Sequence, residues 1–274
     1  MRQNINDTNI KLFEFYQLKP CALYSLVAER NTSLGHMQLP STRYLYERNV
    51  LIALDRCIGR ISDTDLQQKL KNWHHIKQQN LPFVWSNLLQ KSSEIKYALS
   101  SNRHYLSTSY EEGLSATQQA LTYLTNINQN SAIDSKELEA HLQNLQQAAL
   151  PAKIWLSQTL LTEHLNQSTL WLKQQNKHLK CKAGKAETKV EYMANVFMLY
   201  FIEKIQPIAG KVNHYQYQLS PIFEKWQHTP NLSVSFKDYL TQQTQIGFEE
   251  YKLAVANHIQ FWQYLFKRCN IAPN

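Results

Sequence analysis

A chain of 274 residues with 43% hydrophobic and 11% aromatic side chains can bury a sizeable core, which excludes intrinsic disorder. Six glycines and eight prolines are too few for a protein built on tight β-turns and favour helices joined by short polar segments. The formal charge of +8 suggests association with something acidic, such as lipid headgroups, envelope polysaccharide or nucleic acid, and says nothing about the fold.

From the N-terminus, Asp7 or Thr8 can cap a first helix carrying Leu12, Phe13, Tyr16 and Leu18, which Pro20 kinks or divides from the next. Leu23, Leu26 and Val27 share one helical face, as do Leu51, Leu54 and Ile58. Between these runs, residues 30–35 bond their own backbone or tolerate positive φ, and Pro40 offers a helix entry with Ser41 or Thr42 as N-cap. The whole stretch reads as a helical hairpin, and antiparallel legs can set Cys21 opposite Cys57.

After Gly59, the polar run Ser62 to Asp65 supplies a capped start for a brief helix with Leu66, Leu70 and Trp73. Asn80-Leu81-Pro82 interrupts it, and Pro82 opens another helix through Phe83, Trp85, Leu88 and Leu89. Ser92 or Ser93 starts a short helix ending at Leu99. Residues 100–109 turn polar and lose their period, as a surface loop or the place where the chain subdivides. Helices resume with Leu114, Leu121 and Leu124. Past a polar break at 126–131, Asp134 and Ser135 precede Leu138, Leu142, Leu145 and Ala149 in an amphipathic pattern. Pro151 then permits a helix through Trp155, Leu161, Leu165 and Leu172 toward Leu179.

The C-terminal third carries two stripes, one of Val190, Met193, Ala194, Phe197, Phe201 and Ile205 and one of Tyr251, Val255, Ile259, Trp262 and Phe266. Turn signals at Thr229-Pro230-Asn231 separate them, so two long helices are predicted to lie against each other. Pro207 and Pro221 should bend the outgoing leg and Gly247 the returning one. A down-and-back path of equal legs returns Cys269 to Cys181. The prediction is one all-α domain over 1–274, a multi-helix up-and-down bundle ending in a long helical hairpin, with 100–109 as its candidate subdivision. No stretch reaches the ~18 apolar residues of a membrane-spanning helix.

Four cysteines, Cys21, Cys57, Cys181 and Cys269, lie too far apart for a zinc knuckle or a Cys-x-x-Cys site. Four allow three pairings, and four reduced, buried thiols in a cytosolic protein remain open on these grounds. Several motifs add to this. Leu18-x-x-Cys21-x-Leu23, then Glu29-Arg30-Asn31-Thr32-Ser33-Leu34-Gly35, then Pro40-Ser41-x-Arg43-x-x-Tyr46-Glu47, then Cys57-Ile58 follow in order. The chain here resembles a family of bacterial envelope lipoproteins, the domain of unknown function numbered 3080. Leu81-Pro82 with Trp85 and Asn87, Asn195-Val196-Phe197 with Gln206-Pro207, and Trp262 to Cys269 extend the likeness over nearly the whole chain. Thr32 stands where the family pattern has serine. The resemblance implies a helical, extracytoplasmic, periplasmic or membrane-anchored fold with paired cysteines, and no known reaction or cofactor. Disulfides persist in such an oxidising compartment. The first residues, Met1 to Asp7, have no apolar signal core or lipid-attachment cysteine. An upstream start carrying the leader is expected, or else a leaderless, cytoplasmic relative.

Catalytic signatures are sparse. There is no His-Glu-x-x-His, phosphate loop or nucleophile elbow. His74 and His75 diverge by about 100° on a helix, a poor chelating arrangement. His164, His214 and His258 lie in apolar patterns, where a hydrogen-bonded core histidine is the usual outcome. Neither metal nor cofactor is assigned. The adjacent acids Glu111 with Glu112 and Glu249 with Glu250 read as solvated. Glu29 and Glu47 flank the 31–35 turn with Arg30, Arg43 and Arg48. That cluster can bind a polar ligand through Glu29, Arg30, Asn31, Ser33, Gly35, Arg43 and Glu47, or lock the hairpin by salt bridges. A hydrolase there would use Glu29 or Glu47 as acid or base, and Ser33 has only His36 as a partner. The basic run Lys173, Lys177, Lys180, Lys182, Lys185 and Lys189 is the polyanion candidate. It lacks the arginines and stacking aromatics of nucleic-acid binding, so an anionic membrane surface is its more natural partner. The resulting expectation is a non-enzymatic envelope protein acting as a binding or scaffold module. The alternatives are an envelope hydrolase and a basic cytosolic nucleic-acid binder.

Overall fold

The computed structural model describes residues 9–32, 38–100, 104–108, 112–129, 133–182 and 185–271. In chain order its helices are α1 (Leu12–Gln17), α2 (Ala22–Arg30), α3 (Pro40–Ile58), α4 (Thr64–Lys91), α5 (Ser93–Leu99) and α6 (Leu114–Asn126). There follow α7 (Ser135–Ala148), α8 (Leu150–Gln175), α9 (Thr188–Val196), α10 (Gln206–His228), α11 (Val234–Thr241) and α12 (Gly247–Cys269). Wider, π-helical turns occupy Phe197–Ile205 and Gln242–Ile246. The fold is an all-α, multi-helix bundle. The one β-ladder among the described residues is the pairing of Cys181–Lys182 with Lys185–Ala186. No described helix is long and apolar enough to cross a membrane.

The chain forms two compact units. The first comprises Met1–Lys96, Gln119–Gln147 and His228–Phe236, and the second Tyr97–Gln118, Ala148–Gln227 and Lys237–Asn274.

In the first unit α2 and α4 pack on α3. The core joins Leu18, Leu23, Val50, Leu54, Leu66, Leu70 and Trp73 around the Cys21–Cys57 disulfide, whose Cα atoms stand 5.5 Å apart. The hairpin is thus present and stapled. Two local expectations change. Pro40 itself is the first helical residue of α3 and Leu39 occupies the cap position, so Ser41 is not an N-cap and lies buried inside the helix. Asp63 does cap α4, accepting from the amides of Asp65 at 3.0 Å and Leu66 at 3.1 Å. That helix is not brief, however, and runs without a break through Pro82. One hydrogen bond is lost there, a cost of about 3 kcal/mol in a helix interior. It is offset because the buried face continues from Leu66, Leu70 and Trp73 into Val84, Trp85, Leu88 and Leu89, and Trp85 Nε1 also donates to the Leu124 carbonyl at 2.8 Å. At the N-terminus, α1 starts at Leu12 with Lys11 N–H bonded to Glu14 at 2.8 Å, and Leu12 and Phe13 face solvent. The cap expected at Asp7 or Thr8 lies outside the described residues.

In the second unit α12 lies along α8 and also touches the outgoing leg formed by α9, the first π-helical segment and α10. The two long C-terminal helices are therefore in contact. The main partner of the returning helix is α8, so its buried face is rotated from the expected stripe. Of the expected stripe Tyr251, Trp262 and Phe266 are buried and Val255 and Ile259 half-buried, while Ala254, His258, Phe261 and Leu265 complete the buried face. Wide turns sit beside two of the three sites predicted to bend, Pro207 and Gly247, while α10 continues as an α-helix through the third, Pro221. Gln206 N–H donates to the Phe201 carbonyl, five residues back, and the next residue, Pro207, has no N–H to continue an α-pattern. Gly247 N–H likewise reaches the Gln242 carbonyl, and a Cβ at 247 would stand 3.1 Å from that oxygen, a tight contact that glycine relieves. Buried polar side chains tie the segments together. Gln216 Nε2 donates to the Thr244 carbonyl at 2.9 Å, Gln158 Nε2 to Gln216 Oε1 at 3.2 Å, and the Tyr251 hydroxyl to the Ala209 carbonyl at 3.0 Å. Asn270 closes α12 in the left-handed region at φ 51°, with Ile271 N–H on the Phe266 carbonyl at 3.0 Å. This turn ends the helix at Cys269, which is disulfide-bonded to Cys181 with Cα atoms 5.2 Å apart.

Candidate functional site

The structure offers two places where polar and apolar groups converge, one in each unit. The first is the expected cluster on the α2–α3 hairpin. Glu47 is only 1% exposed and faces two cations. Arg43, one helical turn earlier, pairs with Oε1, and Lys77 of α4 donates to Oε1 at 3.2 Å while standing 2.9 Å from Oε2 without hydrogen-bond alignment. Lys77 is itself buried. Sequence reasoning missed it, because nothing local marks a lysine on a helical face as inward-pointing.

Arg30, Asn31, Arg43 and Lys77 line a small hollow of about 310 Å³ with Tyr46 and Trp73. Both guanidinium groups lie over the Tyr46 ring, at 5.9 Å for Arg30 and 5.6 Å for Arg43. Burial, aided by Glu47, pushes the Tyr46 hydroxyl up to about 12 against the opposing pull of those cations. Glu29 is exposed, so the two acids are in unlike surroundings. Arg48 is not part of this cluster. It reaches the Asn128 carbonyl at 3.4 Å, beside the Tyr44 hydroxyl, which donates to Asn128 Oδ1 at 2.7 Å. Ser33, Gly35 and His36 lie outside the described residues.

The second place is a groove in the second unit, of about 1080 Å³, between α8 on one side and α9 with its π-helical continuation on the other. α12 supplies the floor through His258 and Trp262. The walls are Leu161, Leu165 and Leu172 opposite Met193, Phe197 and Phe201, and the rim carries Trp171, Tyr192, Val196 and Tyr200, each more than half exposed. Contiguous apolar exposure of this kind marks an interaction site more often than chance packing. Among the described residues no lining side chain is acidic, and Lys189 is the one lining lysine.

The floor is chemically inert. Trp262 Nε1–H donates to His258 Nε2 at 3.0 Å, so that nitrogen accepts and Nδ1 carries the hydrogen. Nδ1 lies 2.9 Å from Thr169 Oγ1, whose hydroxyl passes its own hydrogen to the Leu165 carbonyl at 2.6 Å. Every hydrogen-bonding position is filled, and burial pushes the imidazole down to about 4. It is a neutral core histidine, as its apolar pattern implied. The other two in such patterns differ: His164 is exposed at the groove and His214 is exposed against Tyr215.

The remaining predicted groups scatter. Glu112 is not solvated. It is buried, pairs with Lys153 at 2.9 Å and accepts the Ser107 amide at 2.8 Å. Glu249 and Glu250 are exposed. Lys173, Lys177 and Lys180 are exposed around the end of α8, and Lys182 and Lys185 are placed as partners in the β-ladder. No group of metal-ligating side chains occurs among the described residues. A signal for the groove was present in the sequence. The run from Val190 to Ile205 is apolar nearly all round, and a helix buried on one face alone has no need of Tyr192, Val196 and Tyr200 on the other.

The family described as Protein of unknown function (DUF3080) matches residues 1–273, and the chain belongs to it. Neither a curated protein nor a solved structure matches.

Proposed function

We propose that this DUF3080 protein is a non-enzymatic binding module of the bacterial envelope, which holds an apolar ligand in the groove of its second unit. The observation that carries the reading is an open cleft of about 1080 Å³ with leucine and phenylalanine walls and a rim of exposed aromatics. Leaving such surface in water costs roughly 25 cal/mol per Å², a loss that binding recovers. The two disulfides support an oxidising compartment, and the resemblance to envelope lipoproteins supports a membrane tether. Lys173, Lys177 and Lys180, with Lys182 and Lys185, then serve as a basic surface toward anionic lipid, a contribution of about 1 kcal/mol per lysine close to the headgroups.

The test is a titration with hexadecanol carrying an environment-sensitive fluorophore. Saturable binding is expected, lost in Ser168→Trp, which places an indole in the groove from an exposed position and spares the core. Equal binding by the wild type and this variant would refute the site. A second reading concerns the hairpin hollow, where Arg30, Asn31, Arg43 and Lys77 converge. A small polar anion there would be lost with Arg30→Ala at unchanged melting temperature.

A further inference from the structure

The two ends of the groove differ, and the difference specifies a ligand. From Ser157 to Leu172 on α8, at 1.5 Å per residue, the groove is about 22 Å long. That exceeds half of the ~30 Å hydrocarbon core of a bilayer, the depth one acyl chain of a membrane lipid spans. The cleft is also narrow. Phe201, Leu165 and His258 line it yet expose 6%, 6% and 5% of their surface, so only something slender reaches them. A helix, about 10 Å across with its side chains, would rest on the rim and leave this floor empty.

Charge marks one end. Lys189 lies in the first turn of α9, lines the groove beside Tyr192, and has no ion-pair partner among the described residues. Lys173 is exposed in the last turn of α8, the helix end that faces the start of α9 across the cleft. The opposite end, at Tyr105, Ser157 and Ile208, has no charged lining side chain among the described residues, and the Ser157 hydroxyl there is already bonded to the Lys153 carbonyl and the Leu106 amide.

We propose that the groove takes a single long-chain carboxylate, its chain laid along α8 toward Ser157 and Ile208 and its head at Lys189. The inference rests on the reading of the groove as an apolar binding site and adds the length and charge of the ligand. Lys189, the lysine that lines the mouth, matches one carboxylate, with Lys173 outside the lining, and the neutral, fully bonded His258 lets hydrocarbon cross the floor without leaving a polar group unpaired.

The experiment compares hexadecanoic acid with hexadecanol on the full chain, by calorimetric titration below the concentration at which either aggregates. The wild type should prefer the acid by roughly 1.4-fold to fivefold, the range of one solvent-accessible ion pair. Lys189→Glu should reverse the preference and Lys189→Arg restore it, with hexadecanol affinity unchanged in both. Equal affinity for acid and alcohol, or a preference that survives Lys189→Glu, overturns the carboxylate and leaves the apolar groove standing. Failure of both ligands to bind overturns the groove reading itself. Binding of anionic vesicles without uptake of hexadecanoic acid assigns the lysines to surface adhesion and also overturns the proposal.

Discussion

The hairpin of the first unit and the groove of the second are built from the same material, paired helices with a disulfide near one end, and they treat their interiors oppositely. In the hairpin a carboxylate and a lysine are buried against each other and narrow the seam to a hollow of about 310 Å³. In the groove a neutral histidine is satisfied by its neighbours, and the surrounding hydrocarbon is left open. A buried ion pair is an expensive way to fill a seam and serves register more than stability. An open aromatic cleft is an expensive surface to maintain and is accounted for by something that occupies it. The contrast separates a region whose polar residues hold the fold from one whose apolar residues await a ligand.

The largest expected effect breaks the ion-paired side. Glu47→Ala strands Lys77 and Arg43 in a buried seam, which costs about 3 to 5 kcal/mol. The melting temperature should fall by roughly 5 to 9 °C. We propose that the two units unfold as one domain, since each is assembled from three separate stretches of chain, so the whole transition should shift. Two resolved calorimetric transitions would count against the single domain, and an unchanged midpoint would show the pair to be solvated.

Next come the staples. Replacing Cys181 and Cys269 together by alanine should cost about 2 to 4 kcal/mol, with Cys21 and Cys57 slightly less costly because they close the shorter loop. Thiol titration of the unreduced protein should find no reactive cysteine, and four reactive thiols would remove the basis for an oxidising compartment.

A smaller effect sharpens the open side. The folded protein holds His258 down at about 4 by burial, whereas the unfolded chain titrates near 6.5. Between those values the unfolded state binds the extra proton, so His258 makes stability fall as pH drops from about 6.5 toward 4. Melting curves across that window should be steeper in pH for the wild type than for His258→Gln. Parallel curves would mean that the imidazole is not shielded. Smallest of all, Trp171→Ser at the rim should move stability by no more than about 0.5 kcal/mol, because that ring is more than half exposed, while weakening binding of hexadecanol. A large loss of stability would reassign the rim to the core.

Much of the fold was legible because it depends on local chemistry. Asp63, Pro151 and Asp134 stand at helix starts as their side chains dictate, and the two sulfur pairs follow from antiparallel legs. What escaped was nonlocal. Pro82 reads as a break in sequence and is overridden by a buried face that continues on both sides of it. Lys77 opposite Glu47 and Lys153 opposite Glu112 depend on how separate helical segments pack, 30 and 41 residues apart, which no local pattern encodes. The hairpin cluster was found by its charges, while the groove was hidden because its residues look like core, and only the excess of aromatics around one helix betrays an uncovered side.

The most direct test of the central claim is a crystal structure of the protein grown with ω-bromohexadecanoic acid, read by the anomalous signal of bromine. The account predicts one peak per chain inside the groove toward Ser157 and Ile208, with the carboxylate within hydrogen-bonding reach of Lys189 Nζ. A saturated crystal with bromine elsewhere, or with none bound, would contradict it.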